Sequence, residues 1–394
     1  MNQLKDLTQE AEALFDYTRA IRRDLHQHPE LGFQEVRTAG IIAEELRRIG
    51  LEVSTGIAKT GVVAVLDGDH PGPNLLLRVD MDALPIQEET GTEYASITPG
   101  VMHACGHDGH VSIGVTVARL LANHKHQFNG SVKFVFQPAE EGLGGAEQMI
   151  AEGVLQNPRP SMALAVHLWN ERPVGWIAIV PGPLMSGAEI FRIVISGKGG
   201  HGALPQQTQD PIVAAAEIIN LSQTIISRNI SPLQSAVISF TRIKGGETHN
   251  VIPPVVEMEG TIRTFEPQVR QIVLDRFREI VTGVAASLGC QVELTVEMLT
   301  PAVINDPEIS NHLLELARNS FPKVKLDSSY RTMVSEDMAY LLNEIPGCYI
   351  MAGSSNPALG LDAGHHHPRF DFDETVLPEA AAFLAAAVIE LLSH

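Results

Sequence analysis

Leu75-Leu-Leu-Arg-Val-Asp-Met-Asp82 is a short, largely apolar run that stops on two carboxylates, and it sets the pattern for the first part of the chain. Gly61–Leu66, Val132–Phe136 and Met162–His167 share its character, each bounded by turn residues. Runs of this kind suit strands buried on both faces, because helices cover each side of a parallel sheet. Helical periodicity fills the intervals. Leu14, Ile21 and Leu25 form one stripe of a helix expected over Leu4–His26, in a region that Pro29 ends. Glu35–Ile49 is expected to follow and to stop at Gly50, and His110–Asn123 to lie between Leu75–Val79 and Val132–Phe136. Strands alternating with helices predict an α/β fold with a mostly parallel sheet.

From about Ser186 the rhythm changes. Ile190–Ser196 reads as a strand, Asp210–Arg228 as a helix, Ala236–Ile243 and Val255–Thr264 as strands, Pro267–Leu288 as a helix and Val292–Met298 as a last strand. That order, β-α-β-β-α-β, is the split ferredoxin-like unit. Pro181-Gly-Pro183 marks its entry and Thr300-Pro301 its exit. Helices near Glu308–Ser320 and Ser335–Asn343, a strand near Cys348–Ala352 and a helix over Thr375–Leu392 then resume the α/β pattern. The expected organisation is a larger catalytic domain in two segments, 1–184 and 300–394, interrupted by an α+β domain over 185–299.

With 394 residues, 44% of them apolar and 19% charged, the chain is expected to fold into two domains. Its formal charge of −19, with no basic stripe to offset it, argues against nucleic acid and anionic membranes as partners. No segment reaches the ~18 consecutive apolar residues of a spanning helix. The opening Met1-Asn-Gln-Leu-Lys-Asp6 lacks the basic-then-apolar pattern of a secretory signal. Cys105, Cys290 and Cys348 are too few for a disulfide framework and point to a reducing compartment. A cytoplasmic protein is expected.

Open parallel sheets carry their chemistry at strand ends, and the polar residues of interest cluster there. Asp80 and Asp82 follow one strand, and Glu140 and Glu141 follow another across Gln137-Pro-Ala139. His167 closes a third, and His365-His366-His367 precedes Pro368. Met102-His-Ala-Cys-Gly-His-Asp-Gly-His110 adds Cys105 and His107, two residues apart on a glycine-rich loop. Thiolate, imidazole and carboxylate are the ligands of a borderline-soft divalent metal such as zinc. A neighbouring second carboxylate is what metal-assisted hydrolysis needs for moving protons. The chain therefore reads as a metal-dependent hydrolase.

Other readings fit less of the pattern. A lone cysteine is more often a small buried apolar residue than a ligand, but His107 beside it reverses the balance. A Glu pair is usually a solvated face, yet this one follows an apolar strand and precedes Gly142-Leu-Gly-Gly145. His103 and His110 read as supporting residues rather than ligands, and Asp82 and Asp108 as carboxylates that orient ligand imidazoles. Gly197-Lys-Gly-Gly-His-Gly202 has dinucleotide-site spacing, but Pro205 and Gln206–Gln209 separate it from the next helix. Cys105 as a nucleophile would leave the Glu pair and terminal histidines without a task. In the inserted domain, His201 stands among glycines and Asn250 lies in Thr248-His-Asn-Val-Ile-Pro253. Arg263, near a strand end, is the credible anchor for a substrate carboxylate, because its fork offers two parallel bonds.

Taken together, Arg23–Phe33, Arg78-Val-Asp-Met-Asp-Ala-Leu-Pro85, Met102–His110, Gln137-Pro-Ala-Glu-Glu141, Ser335-Glu-Asp337 and His366-His-Pro-Arg-Phe370 resemble a known family. It is the metal-dependent amidohydrolase family of hippurate hydrolase, N-acyl-L-amino-acid amidohydrolases and indole-acetyl-amino-acid hydrolases, within the aminoacylase and carboxypeptidase superfamily. The resemblance implies two divalent metals per subunit (zinc, manganese, cobalt or nickel) on Cys105, His107, Glu141, His167 and His366, with Glu140 as general base. It selects His366 within the histidine run, because the family places its ligand two residues before the proline. It further implies a homodimer formed through the inserted lid domain, with His201 and Asn250 in a substrate pocket across the interface. The expected reaction is hydrolysis of an N-acyl amino acid. A dipeptidase or carboxypeptidase on the same site, and a non-catalytic metal- and carboxylate-binding dimer, are the rivals.

Overall fold

A computed structural model describes residues 2–393, with side chains from Asp6 onward. The chain separates into two compact units. The first holds the segments up to Gly182, Ile304–Tyr330 and from Asp337 on; the second holds Pro183–Val303 and Arg331–Glu336. The short return segment groups with the second unit for a local reason. Ser186 N–H donates to the Thr332 and Val334 carbonyls, its hydroxyl to Met333, and Thr332 N–H to Leu184.

The first unit is built on an eight-stranded sheet, in the order Glu52–Ile57, Gly61–Asp67, Asn129–Gln137, His70–Asp80, Met162–Pro173, Gly347–Ser355, Trp176–Ala178 and Lys325–Asp327. The middle four strands, from Asn129–Gln137 to Gly347–Ser355, pair in parallel. Antiparallel pairs appear towards both edges, and of these only Glu52–Ile57 and Gly61–Asp67 are joined by a tight turn, while the outermost Lys325–Asp327 pairs in parallel with Trp176–Ala178. Glu52–Ile57 escapes a pattern search because most of its residues are exposed, and edge strands need no apolar run. Helix His107–Asn123 is apolar nearly all round, with Val111, Ile113, Val115, Val117, Leu120 and Leu121 fully buried. Such a helix must be covered on every side, and Phe15–Gln27 and Val376–Leu392 pack against it. The helix expected over Leu4–His26 is in fact two, Asn2–Ala13 and Phe15–Gln27, broken at Leu14. The bend lets Leu7 and Ala11 reach the same core as Ile21 and Leu25.

The second unit is a four-stranded antiparallel sheet in the order Ala236–Lys244, Val255–Thr264, Gly187–Ser196, Gln291–Thr300. Helices Pro211–Thr224 and Pro267–Ser287 supply the rest of its core, around Phe191, Ile193, Ile218, Met258 and Phe277. Val255–Thr264 alternates buried with more exposed residues, as a sheet covered on one face requires. This is the β-α-β-β-α-β order read from the sequence. The helix expected to run to Arg228 leaves α geometry at Thr224 and finishes as a π turn over Ile225–Asn229. No helix among the described residues is long and apolar enough to cross a membrane.

Two glycines shape the loops that matter below. Gly106 has φ of +88°, in the left-handed region, between Cys105 and His107. At Gly145 a Cβ would sit 1.7 Å from the Pro138 carbonyl oxygen, so the backbone itself would have to move. Gly106→Ala should therefore cost about 1–2 kcal/mol of backbone strain. Gly145→Ala should lower the melting temperature further and also weaken metal binding, since Glu140 and Glu141 lie between Pro138 and Gly145. Thermal melts of the metal-free proteins and chelator competition would measure both; Gly145→Ala that melts and binds metal like the parent would contradict this reading.

Candidate metal centre

The predicted ligands lie on loops beyond the parallel strands or at a helix start, except His167, which does not close its strand but lies inside it. Cys105 and His107 flank Gly106 at the start of helix His107–Asn123. Glu140 and Glu141 follow Asn129–Gln137 through Ala139, which adopts φ of +55°. His167 lies within Met162–Pro173, a longer strand than the sequence suggested. His366 lies on the loop after Gly347–Ser355 with φ of +64°, and its N–H donates to the Ala104 carbonyl at 2.8 Å. That bond ties the histidine loop to the Cys105 loop.

These residues come together. Ligand atoms of Cys105, His107 and His167 all lie within 4.8 Å of one another, and so do those of Cys105, Glu141 and His366, and those of His107, Glu140 and Glu141. The three groups share members and form one connected cluster. Cys105 Sγ is 3.6 Å from His167 Nε2, and His366 Nε2 is 3.3 Å from Glu141 Oε1.

Surrounding hydrogen bonds fix which nitrogen each imidazole presents. His107 Nδ1 donates to the Asp82 carbonyl at 2.9 Å and lies 3.2 Å from its carboxylate, which leaves Nε2 buried without a hydrogen-bond partner. His167 Nδ1 donates to the Leu168 carbonyl at 2.6 Å and likewise turns Nε2 to the cluster. Asp82 acts twice, since its Oδ2 also accepts from the Glu141 N–H at 3.0 Å. Anchoring one ring nitrogen so that the other can ligate is how metal sites orient imidazoles. His110 has neither nitrogen to spare: Nε2 accepts from the Leu168 N–H and Nδ1 donates to Asp80. Asp108, read as a possible orienter of ligand imidazoles, turns instead to Arg22 and His26. His103 is buried, and burial pushes its pKa down to about 4, so it is neutral.

The charges fit a cation. Burial opposes a proton on His107, but Asp80 and Asp82 outweigh it and raise the imidazole well above its usual range. Hydrogen bonds with Cys105 and Glu141 push His366 up to about 10. Burial raises the Cys105 thiol. In the metal-free chain, protons therefore occupy positions where sulfur, nitrogen and oxygen donors converge, and a divalent ion would replace them.

Several supporting residues went unread in the sequence. Glu140 Oε1 accepts from the Asp337 N–H at 3.4 Å. The Asp337 carboxylate is held by Arg78 and Gln137, and by the Ala146 N–H at 3.0 Å. Fully buried Glu35 accepts from the Ala139 N–H at 2.9 Å and from Thr60, bracing the left-handed residue before Glu140. Arg78 had a visible signal, a guanidinium inside an apolar run. Gln137 and Asp337 stood in motifs that carry the resemblance but without a role, and Glu35 had no signal without the pairing of strands.

Within the second unit, His201 pairs with Val251, and Gly202 N–H donates to the Asn250 carbonyl, so His201 and Asn250 are neighbours. His201 Nδ1 accepts from the Ala203 N–H at 3.1 Å, which places the ring proton on Nε2. Arg263 is half-buried and donates to hydroxyls, Thr261 Oγ1 at 3.1 Å and Ser335 Oγ at 2.9 Å.

A parallel α/β sheet with a connected cluster of thiol, imidazole and carboxylate groups at its strand ends defines a metal-dependent hydrolase. The chain belongs to Peptidase family M20/M25/M40, whose profile matches residues 76–390, and it is an amidohydrolase of that family. It is 41% identical to the N-acetylcysteine deacetylase of Bacillus subtilis (strain 168), over 95% of this chain and 97% of that one. It is 37% identical to thermostable carboxypeptidase 2 of Saccharolobus solfataricus, over 99% of each. Among solved structures, a Bacillus subtilis protein described as a dinuclear metal-binding peptidase of the M20 family superposes with a TM-score of 0.85, at 37% identity over 97% and 99% of the two chains.

The raised pKa values of His107, His366 and Cys105 mean that a metal bound by these groups would have to expel their protons. The raised pKa of His366, about 10, means that this competition persists through neutrality. Apparent zinc affinity should rise with pH, by about tenfold per unit for each proton displaced. Competition titrations at three pH values between 6 and 8 would measure the slope; a flat profile would show that these groups are not the ligands.

Proposed function

We propose that the chain hydrolyses small N-acyl L-amino acids to a carboxylic acid and a free amino acid. Two divalent cations (zinc, manganese, cobalt or nickel) would be held by Cys105, His107, Glu141, His167 and His366. The observation that carries the proposal is Glu140, a second carboxylate within 4.8 Å of donor atoms of His107 and Glu141. Metal storage or simple capture of a ligand has no use for it; proton transfer during hydrolysis does. The deacetylase relative and the dinuclear neighbour support the substrate class and the metal count.

When bound, a divalent cation at this cluster supplies Lewis acidity and brings the pKa of water towards ~7. Glu140, oriented by the Asp337 N–H, takes the proton of the attacking water and returns it to the departing amine nitrogen. Asp82 keeps the His107 ring and the Glu141 backbone in place during that transfer. His201, with its proton on Nε2, is suited to stabilise the oxyanion of the tetrahedral intermediate. Arg263 and Asn250 are assigned to the amino-acid carboxylate. Arg263 has hydroxyl rather than carboxylate hydrogen-bond partners among the described residues, and so keeps its charge for a ligand. A homodimer formed through the second unit belongs to the same proposal; Ile212, Val213 and Leu221, all exposed on helix Pro211–Thr224, support it. A reducing compartment, the cytoplasm, is the proposed location, because a cysteine ligand works only as the free thiolate.

Carboxypeptidase activity is the second reading, favoured by the likeness to thermostable carboxypeptidase 2. A panel of N-acetyl amino acids, N-benzoyl amino acids and dipeptides separates the two. The proposal expects kcat/KM to be highest for an N-acyl amino acid, and consistently higher values for dipeptides would reverse it. Glu140→Gln should lower kcat by ~10²–10⁴-fold while zinc content and KM stay close to those of the parent. Turnover that survives the change would remove the general-base role.

Arg263→Ala should raise KM about 10- to 100-fold for substrates with a free carboxylate, the worth of a charged hydrogen bond. It should have little effect on their amide-capped analogues. Equal effects on both would refute the anchor.

A further inference from the structure

We propose that His365 is a positioning residue that tunes the metal-binding sulfur through an Nδ1–H···Sγ hydrogen bond to Cys105. The proposal rests on the reading of Cys105 as a ligand. His365 Nδ1 lies 3.8 Å from Cys105 Sγ, within the range of an N–H···S contact. The proton's position follows from the other side of the ring. His365 Nε2 accepts the Asn170 N–H at 3.1 Å, so Nε2 carries the lone pair and Nδ1 carries the hydrogen. That tautomer rules His365 out as a ligand in its present pose and makes Nδ1–H a donor towards Cys105, shared between its backbone carbonyl and its sulfur.

The rest of the loop is built to hold the ring there. The Asn170 side chain donates to the carbonyls of Ala363 at 2.8 Å and Asp371 at 3.0 Å, and accepts from the Ser354 hydroxyl. It thus clamps both ends of the segment that contains His365. The ring packs against Trp169, with centroids 4.8 Å apart, and against Phe370 at 5.1 Å, inclined by 30° and 35°. A histidine whose only task was to fill space would not need its tautomer fixed by a backbone N–H.

An N–H donor withdraws electron density from a thiolate, so the sulfur gives less to the metal and the metal stays a stronger Lewis acid. Outer hydrogen bonds of this kind commonly change affinity or activity by ~10–100-fold. The same bond would lower the pKa of water at the metal, because a stronger Lewis acid polarises it more.

The test uses the full-length protein loaded with cobalt(II), whose thiolate-to-metal charge-transfer absorption reports on the sulfur directly. His365→Phe keeps a ring against Trp169 and Phe370 but removes the donor, whereas His365→Asn keeps an N–H at the same branch point. The band should move to longer wavelength in His365→Phe and return towards the parent position in His365→Asn. The rising limb of the kcat/KM pH profile should shift to higher pH in His365→Phe only. A parent band that His365→Phe leaves in place overturns the tuning role and leaves the ligand set standing. A parent protein with no such band overturns the Cys105 ligand reading, and this proposal with it. Should His365→Phe fail to fold, nitrogen-15 shifts of the histidines in the zinc-loaded parent decide: Nδ1–H at His365 supports the proposal, and Nε2–H overturns it.

Discussion

Two buried guanidinium groups carry the architecture of the candidate metal centre. Arg22 and Arg78 are almost wholly removed from solvent. Arg22 reaches Asp108 at 2.8 Å and Asp371 at 2.7 Å, with Glu374 further out at 3.2 Å, and its plane lies over Phe372 and Tyr94. Arg78 joins Asp80 at 2.6 Å and Asp337 at 2.8 Å and donates to Gln137. Each therefore binds segments far apart in sequence: helix Phe15–Gln27 to helix His107–Asn123 and the loop before Val376, and the strand His70–Asp80 to the start of helix Met338–Glu344. Carboxylates taken out of water are expensive unless they are paired, and removing one partner of a buried pair commonly costs about 3–5 kcal/mol. The donor cluster can be dense in acidic and imidazole groups only because these arginines hold the layer behind it.

That layer explains which parts of the site could be read from the sequence. Ligand identity is a matter of residue type and spacing, so Cys105, His107 and the Glu140-Glu141 pair stood out along the chain. The resemblance, rather than any spacing, singled out His366 within its run. The sheet was legible in its parallel middle, where burial on both faces forces apolar runs. It was illegible at Glu52–Ile57, Trp176–Ala178 and Lys325–Asp327, which are short or exposed and owe their pairing to neighbours. The bracing roles of Glu35, Gln137 and Asn170 were hidden for a different reason. Glu35 and Asn170 act on backbone groups and Gln137 on the Arg78 guanidinium and the Asp337 carboxylate, relations that exist only once distant segments are side by side. Asp108 shows the opposite error: its place next to His107 in sequence suggested a partner, but successive helix residues point in different directions, and it serves Arg22 and His26.

Protonation links the scaffold to the chemistry. Asp80 is held well below the ordinary carboxylate range, despite burial, by His107, His110 and Arg78. It therefore remains an anion and keeps His107 ready to trade its proton for a metal. His167 is driven the other way, by burial and by the nearby His110 and His365, and stays neutral with Nε2 available. In the proposed site one imidazole would exchange a proton for a cation while another stands deprotonated: Asp80 and Asp82 outweigh burial at His107, whereas the pull of Asp80 on His167 does not offset burial and the neighbouring imidazoles. The strongly acidic chain as a whole, with its formal charge of −19, adds a background that favours cations over anions.

Backbone conformation completes the argument. Gly106, Ala139 and His366 all adopt positive φ, at +88°, +55° and +64°. Each belongs to a different loop that bears proposed ligands. Only the first is a glycine, so the other two carry a side chain in a conformation that costs of order 1–3 kcal/mol and persists only where the surroundings enforce it. The enforcement is visible: Glu35 takes the Ala139 N–H, and the Ala104 carbonyl takes the His366 N–H. A left-handed residue reverses the chain sharply enough to turn Cys105 and His107, or Glu140 and Glu141, towards one point, which a regular strand or helix could not do with residues so close in sequence. Ala139 and His366 are thus two of the six described non-glycine residues with positive φ, and the Glu35 carboxylate and the Ala104 carbonyl keep the turns that aim the proposed ligands from relaxing.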